Sequence, residues 1–111
     1  MQIDGTINLY DLTKDGAIRN LSGKEKGIAA REHFNLDELD DINQLIVVNI
    51  PETLDAISSS FFLGMFSQSV VKLGSKEEFI NKFKFNGSAT LLRQINKGIS
   101  RSLAPRGPMR P

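Results

Sequence analysis

Three consecutive serines, Ser58-Ser59-Ser60, stand where an apolar strand pattern gives way to an apolar helix pattern that begins at Phe61. The first backbone N–H groups of a helix lack partners within the helix and carry partial positive charge. A serine hydroxyl there can cap the helix, and a phosphate carried by it would be stabilised by the same field. On spacing alone, capping is favoured over phosphorylation. This junction is where we expect the chemistry of the chain to lie.

A strand before the serines and a helix after them must position the junction. Residues 45–50 form a continuous apolar run rich in β-branched side chains, which predicts a central strand buried on both faces. Apolar residues then recur at steps of three and four from Phe62 to Leu73, which predicts a helix of nearly three turns. Gly74 is expected to end that helix.

The N-terminal third predicts a hairpin followed by a helix. Residues 6–12 alternate apolar and polar side chains like a half-buried strand, and Asp15-Gly16 predicts a turn into a short return strand at 17–19. A capping box at Ser22 and Glu25 predicts a helix over 23–34. Its inner face is expected to hold small residues, with either Arg31 or Ile28 beside them. Residues 37–41 read as an acidic linker of about one helical turn.

Two more serines predict helix starts in the C-terminal third. Ser75 opens a second capping box, and Ser88 is expected to cap a helix that runs to about Arg101, with a brief strand at 83–85 between them. The pattern as a whole predicts an α/β protein: one domain, residues 1–102, with a small mixed β-sheet packed by about four helices. Residues 103–111 are rich in proline and arginine and predict an extended tail.

Composition predicts a cytoplasmic protein. The 111 residues include no cysteine, so disulfides and thiolate metal sites are excluded. The first residues lack a basic segment followed by an apolar run, and no window approaches the roughly 18 apolar residues that span a bilayer. We therefore expect no membrane association.

The titratable residues do not predict an enzyme. His33 is the single histidine and has no triad pattern around it, so we interpret it as a surface side chain. Asp37, Asp40 and Asp41 lack the spacing of a calcium loop. The glycines match neither a P-loop nor a dinucleotide fingerprint. No cofactor and no metal are expected.

Charge is divided unequally along the chain. All 13 acidic residues lie at or before Glu78, where the net charge is −6, and the rest of the chain has a net charge of +7. This polarity is consistent with an acidic partner, with attraction between the two halves, or with head-to-tail pairing of two copies. Nucleic-acid binding is the alternative function. It would use basic residues of the last helix and tail: Arg93, Lys97, Arg101, Arg106 and Arg110. Without nearby aromatic residues, a solvated helix face explains them more simply.

The segment 45–66, with its helix start Ile57-Ser58-Ser59-Ser60-Phe61-Phe62-Leu63-Gly64-Met65-Phe66, resembles the core of STAS domains, which occur in sulfate transporters and anti-sigma-factor antagonists. It is most similar to the bacterial and phage STAS-like family of unknown function. The resemblance continues through a phenylalanine-rich segment: Phe79, Phe83, Phe85 and Asn86. In order of elements, it covers residues 7–103.

The resemblance implies a regulatory protein rather than an enzyme. In anti-sigma-factor antagonists the helix start reads Asp-Ser-Ser-Gly, and a partner kinase of the histidine-kinase ATPase fold phosphorylates the first serine. Ser58 takes the place of the aspartate, Ser59 that of the phosphoacceptor, and Phe61 that of the glycine. The hypothesis is a module that docks an ATPase-kinase or anti-sigma-like factor at these serines. The expected border of the docking surface is Asp55, Phe61, Leu63 and Gly64.

Nucleotide binding is a third hypothesis, because some STAS relatives bind nucleotides weakly. It ranks last, since the sequence supplies no phosphate-binding loop, catalytic base or metal-ligand pattern.

Overall fold

The computed structural model describes residues 3–42 and 44–104. Strands and helices follow one another along these residues in the order β1 Ile3–Asn8, β2 Asn20–Leu21, α1 Lys24–His33, α2 Leu36–Asp41, β3 Leu45–Asn49, β4 Ala56–Ile57, α3 Ser59–Leu73, α4 Lys76–Lys82, β5 Phe83–Asn86 and α5 Ala89–Leu103. The predicted α/β fold, in which helices pack on a β-sheet, is confirmed. The strand pairs of the described residues run parallel.

The main sheet has the order β1-β3-β5, so β3 is its central strand, as the apolar run predicts. Ile46 and Val48 are fully buried, whereas Leu45, Val47 and Asn49 on the opposite face are only partly covered. The prediction that β3 is buried on both faces is therefore wrong. Its Ile46 and Val48 face is buried, and its other face is partly open to solvent.

The predicted N-terminal hairpin does not form. After β1 the chain makes a 3₁₀ turn, Leu9–Leu12, and then a tight loop in which Lys14, Asp15 and Gly16 all have positive φ. The intervening turn carries the chain away from β1, so it cannot fold back beside it. Instead β2 pairs in parallel with β4 in a separate two-stranded sheet, hereafter the small sheet.

Helix α3 lies between α1 and α5 and contacts both. A buried aromatic cluster is formed by Phe62 and Phe66 of α3, Phe79 of α4 and Phe83 of β5. The ring centroids of the contacting pairs lie 4.9 to 6.1 Å apart. Such tilted and edge-to-face pairs stabilise a core beyond their burial alone. The predicted apolar stripe of α3 therefore faces the centre of the domain.

Local signals place most helix ends correctly. Ser75 accepts a hydrogen bond from the N–H of Glu78, and Ser88 accepts one from the N–H of Leu91, so both predicted caps are confirmed. Gly74 ends α3 with a φ of 91°, the left-handed conformation that favours glycine.

The start of α1 and the end of α5 differ from the prediction. Gly23, with a φ of 94°, stands at the N-cap of α1, and no side chain caps that helix, so the predicted role of Ser22 is wrong. Ser22 lies one residue too early because β2 ends directly before it. Helix α5 includes Leu103, the residue at which the tail was predicted to begin. Residues 105–111, which include Arg106 and Arg110, lie outside the described residues.

None of the helices in residues 3–42 and 44–104 combines the length and the apolar character that crossing a membrane requires.

Candidate functional site

Ser58 caps helix α3. It has extended backbone angles (φ −74°, ψ 158°), and its Oγ accepts a hydrogen bond of 3.0 Å from the N–H of Phe61. Ser59 is the first helical residue and is partly exposed, and Ser60 is exposed. No side-chain hydrogen bond of Ser59 or Ser60 occurs within the described part of the chain. The hydroxyl cluster thus lies at the protein surface, where the unpaired N–H groups of α3 begin.

A surface groove of about 470 Å³ opens beside the serines. Both strands of the small sheet line it, together with Ser58, Ser59, and the side chains of Gln94 and Lys97 from α5. We call this feature the serine groove. The serine junction, predicted to dock a protein, and the basic last helix, predicted to bind nucleic acid, therefore line the same groove.

Gln94 fixes the far wall of the serine groove. Its Oε1 accepts a hydrogen bond of 2.6 Å from the backbone N–H of Ile57, the last residue of β4. The glutamine therefore pairs an otherwise free strand edge and ties α5 to the residue before the serines. Lys97, nearly one turn later, is exposed and lines the same groove. Sequence reasoning missed Gln94, because nothing local marks a contact between residues 37 positions apart.

The expected border of the docking surface is only partly at the surface. Asp55 is exposed and forms a two-contact salt bridge with Arg19, at 2.8 and 3.1 Å. This hydrogen bonding and the charge of Asp55 raise the pKa of Arg19 above its ordinary value. Leu63 is half-buried. Phe61, at 3% exposure, and Gly64 are buried because the first turns of α3 pack on α1. Neither of those two residues lines the serine groove.

Arg93, Lys97 and Arg101 are exposed along α5 at four-residue steps. Arg93 donates a 3.3 Å hydrogen bond to the hydroxyl of Thr90. Within residues 3–42 and 44–104, these three cations form no salt bridge.

A buried ionic network ties α1, α2 and α3 together, and sequence reasoning did not find it. Arg31 is 6% exposed and donates hydrogen bonds to Asp37 (2.9 Å), Asp40 (2.5 Å), the Met65 carbonyl (3.0 Å) and the Ser69 hydroxyl (3.0 Å). Ser69 in turn donates to Asp40 at 2.7 Å. The sequence does contain the two parts of this network, Arg31 on the inner face of α1 and the acidic residues that follow it. Their pairing depends on how α2 folds back against α1, which the sequence pattern does not show.

Three asparagines form a hydrogen-bonded ladder at the carboxyl ends of the main-sheet strands. Asn8, Asn49 and Asn86 are aligned in register on β1, β3 and β5. The side-chain amide of Asn49 donates to Asn8 at 2.9 Å, and that of Asn86 donates to Asn49 at 3.0 Å. Since the amides largely pair with one another, we interpret the ladder as a structural feature that fixes the register of the three strands.

In the part of the chain that the structure describes, no three histidine or acidic side chains are grouped closely enough to hold a metal ion. His33 is exposed and packs edge-on against Phe34, with ring centroids 4.7 Å apart.

No protein-family model, no curated protein and no solved structure matches this chain. The resemblance to STAS domains therefore stays a prediction from the residues that carry it.

Proposed function

We propose that this protein is a non-catalytic regulatory module that docks a protein partner at the serine groove. The observation that carries the proposal is the position of Ser59. Its hydroxyl lines a groove of about 470 Å³ and has no side-chain hydrogen bond within the described residues, while the neighbouring Ser58 is committed to capping. A partner that fills the groove would contact this free hydroxyl directly.

The groove has the composition of a docking site. The small sheet lines it with the half-buried Ala56 and with Leu21 and Ile57, which are nearly fully buried, and the serines, Gln94 and Lys97 supply polar groups. Apolar contact area with a few fixed polar groups is what gives a protein interface both affinity and orientation. Because Gln94 holds α5 against β4, the groove is formed before a partner arrives.

Phosphorylation of Ser59 is the proposed switch. Ser58 Oγ already accepts a hydrogen bond, and Ser60 lies outside the groove, so Ser59 is the serine whose modification would change the groove most. A phosphate adds about −1.5 to −2 charges at neutral pH. It would lie at the positive end of α3, in the groove that Lys97 also lines, and would be tolerated without unfolding the helix.

The partner class comes from the resemblance to STAS domains, which points to an ATPase-kinase or an anti-sigma-like factor. A cytoplasmic location belongs to the same proposal, because such partners act there and the chain contains no cysteine.

Binding to a purified ATPase-kinase of the histidine-kinase fold tests the proposal. Ser59→Glu places a carboxylate in the groove at a helix position that favours acidic residues, so the fold should be kept. We expect calorimetry to show at least tenfold weaker binding. Ser60→Glu is the matched control, because it adds the same charge one residue away, outside the groove. Equal binding by both variants and the unmodified protein would refute docking at this groove.

Mass spectrometry after incubation of the protein with that kinase and ATP tests the switch separately. Phosphate is expected on Ser59, and Ser59→Ala should abolish it, whereas Ser60→Ala should not. Phosphate confined to serines outside the cluster would end the proposal of a switch but leave docking standing.

Nucleic-acid binding by α5 is the second candidate, favoured by three exposed cations on one helix without salt bridges in the described residues. If they neutralise phosphates, the affinity for an oligonucleotide should fall steeply between about 50 and 200 mM salt. Arg93→Gln together with Arg101→Gln should flatten that dependence. No mobility shift at low salt would exclude this candidate.

A further inference from the structure

A second concave surface lies on the other side of β2 from the serine groove. One wall is a face of α1 formed by Lys26, Ala29, Ala30 and His33, which follow one another at helical spacing over two turns. The two alanines leave a depression between the longer side chains of Lys26 and His33. The resulting space has a volume of about 590 Å³, within the usual range for a small-molecule site, and we call it the α1 cleft.

The opposite wall of the α1 cleft is the segment between β1 and β2, which contributes Leu12, Lys14 and Ile18. This segment is fixed by its own hydrogen bonds. The hydroxyl of the fully buried Thr13 donates to the carbonyl of Tyr10 at 2.7 Å, and the N–H of Ile18 donates to the carbonyl of Thr13 at 2.9 Å. The wall is therefore held in place without a ligand.

The floor of the cleft is apolar. Leu21, Ala30 and Phe61 line it and are nearly fully buried, with exposures of 2 to 5%. Leu12 and Ile18 on the opposite wall are half-buried. Phe61 lines this second site and not the serine groove.

The rim is cationic on balance. Lys14 and Lys26 line the cleft against one acidic side chain, Asp11, and the imidazole of His33 also lines it. Lys26 and His33 lie seven residues apart on α1, about 10 Å along the helix axis, so they stand at opposite ends of the depression. Neither lysine forms a salt bridge within residues 3–42 and 44–104. The cationic rim belongs to the half of the chain that is acidic overall, so it is a local concentration of charge.

We propose that the α1 cleft binds a small organic anion with an apolar, ring-sized body. The body would pack against the alanines of α1 and Phe61, and the anionic group would lie beside Lys14 and Lys26. Apolar burial supplies affinity, and the rim charges select anions over neutral compounds of the same shape. This site shares Asn20 and Leu21 of β2 with the serine groove, but its lysines are not part of that groove, and it does not depend on the proposed docking function.

Titration of the isotope-labelled full chain with 2-naphthalenesulfonate, followed by NMR, tests the proposal. We expect saturable shifts of backbone amides in α1 and in the segment between β1 and β2. The neutral compound of matched shape, 2-naphthalenemethanol, should bind at least fivefold more weakly. Equal affinity for both compounds, or saturable shifts confined to other surfaces, would overturn the proposal, as would the absence of binding at millimolar concentration.

Two substitutions locate the site independently. Ala29→Phe fills the depression from an exposed position and should abolish binding, while Ala89→Phe, at an exposed alanine of α5, is the matched control. Lys14→Gln with Lys26→Gln should weaken binding of the anion about tenfold and leave the neutral compound unaffected. Lys76→Gln together with Lys84→Gln, at exposed positions outside the cleft, removes the same two charges and is the matched control. If Ala29→Phe fails to fold, as judged by circular dichroism, the lysine variants decide: unchanged affinity would refute the site.

Discussion

Gly27 of α1 and Gly64 of α3 face each other where the two helices cross. A Cβ atom on Gly27 would lie 2.2 Å from the carbonyl oxygen of Phe61, and one on Gly64 would lie 2.2 Å from the carbonyl oxygen of Lys24. The backbones of the two helices are therefore in direct contact. This crossing sets the position of the first turns of α3, and with it both the serine groove and the floor of the α1 cleft.

Substituting either glycine by alanine should destabilise the domain strongly. A methyl group at these positions meets backbone rather than a flexible side chain, so the helices must move apart. We expect Gly27→Ala or Gly64→Ala to lower the free energy of unfolding by about 3 kcal/mol, the upper part of the range for overpacking. Urea denaturation measures this. Glu32→Ala, at an exposed site of α1, should change stability by less than about 0.5 kcal/mol.

Loss of the α3 cap should have a smaller and local effect. In Ser58→Ala the N–H of Phe61 loses its acceptor, and we expect a destabilisation of about 1 kcal/mol. Hydrogen exchange should accelerate most in the first turn of α3. The exposed Ser60 has no capping role, so Ser60→Ala should be nearly neutral. Similar costs for the two variants would mean that Ser58 does not act as the cap.

Breaking the buried ion pair of Arg31 and Asp40 from one side should be costly. The side chains of both residues are almost fully buried, at 7 and 5% exposure. Removing either one would leave the other as a buried charge without its partner. We expect Arg31→Leu to destabilise the protein by about 3 to 5 kcal/mol in thermal or urea unfolding. Replacing both residues by leucine should cost less than Arg31→Leu alone, because no buried charge remains.

Asp37 supplies the control for this network. It also pairs with Arg31, at 2.8 Å, but its side chain is 83% exposed. Water screens such a pair, so Asp37→Asn should change stability by less than about 1 kcal/mol. A loss as large as that of Arg31→Leu would contradict the assignment of the stabilisation to the buried contact.

The exposed pair Asp41 and Lys72 predicts a weak dependence of stability on pH. Its hydrogen bond of 2.6 Å, together with the opposite charge, lowers the pKa of Asp41 below its ordinary value of 3.8 and raises the pKa of Lys72 above 10.5. The stabilisation should therefore be present between about pH 4 and 10 and be lost as acid protonates Asp41 through its lowered pKa. At the alkaline end it should be lost as Lys72 deprotonates through its raised pKa.

Comparison of Asp41→Asn with the unmodified protein over this range measures the effect. The difference in unfolding free energy should be small at neutral pH and should vanish at the acidic end. A difference that grew as the pH fell from 4 to 2 would contradict the pairing.

Much of the local structure followed from the sequence. The caps at Ser75 and Ser88, the end of α3 at Gly74 and the central strand β3 were all predicted, and the structure contains them. Each of the helix-end signals acts within four residues, and the apolar run that marks β3 is a property of consecutive positions. Residues so close in sequence remain neighbours however the rest of the chain folds.

The sites depended on contacts across the chain. Phe61 reads as part of an exposed helix start, yet the crossing of Gly27 and Gly64 buries it. The chain does turn at Asp15-Gly16, as predicted. The next strand, β2, nevertheless pairs with β4, 36 residues away, and no local signal specifies that partner. The sequence by itself determined the helix ends that local signals mark, at Ser75, Ser88 and Gly74, and the position of the central strand β3. Only the tertiary structure decided which faces remain open, because burial depends on what distant segments pack against them.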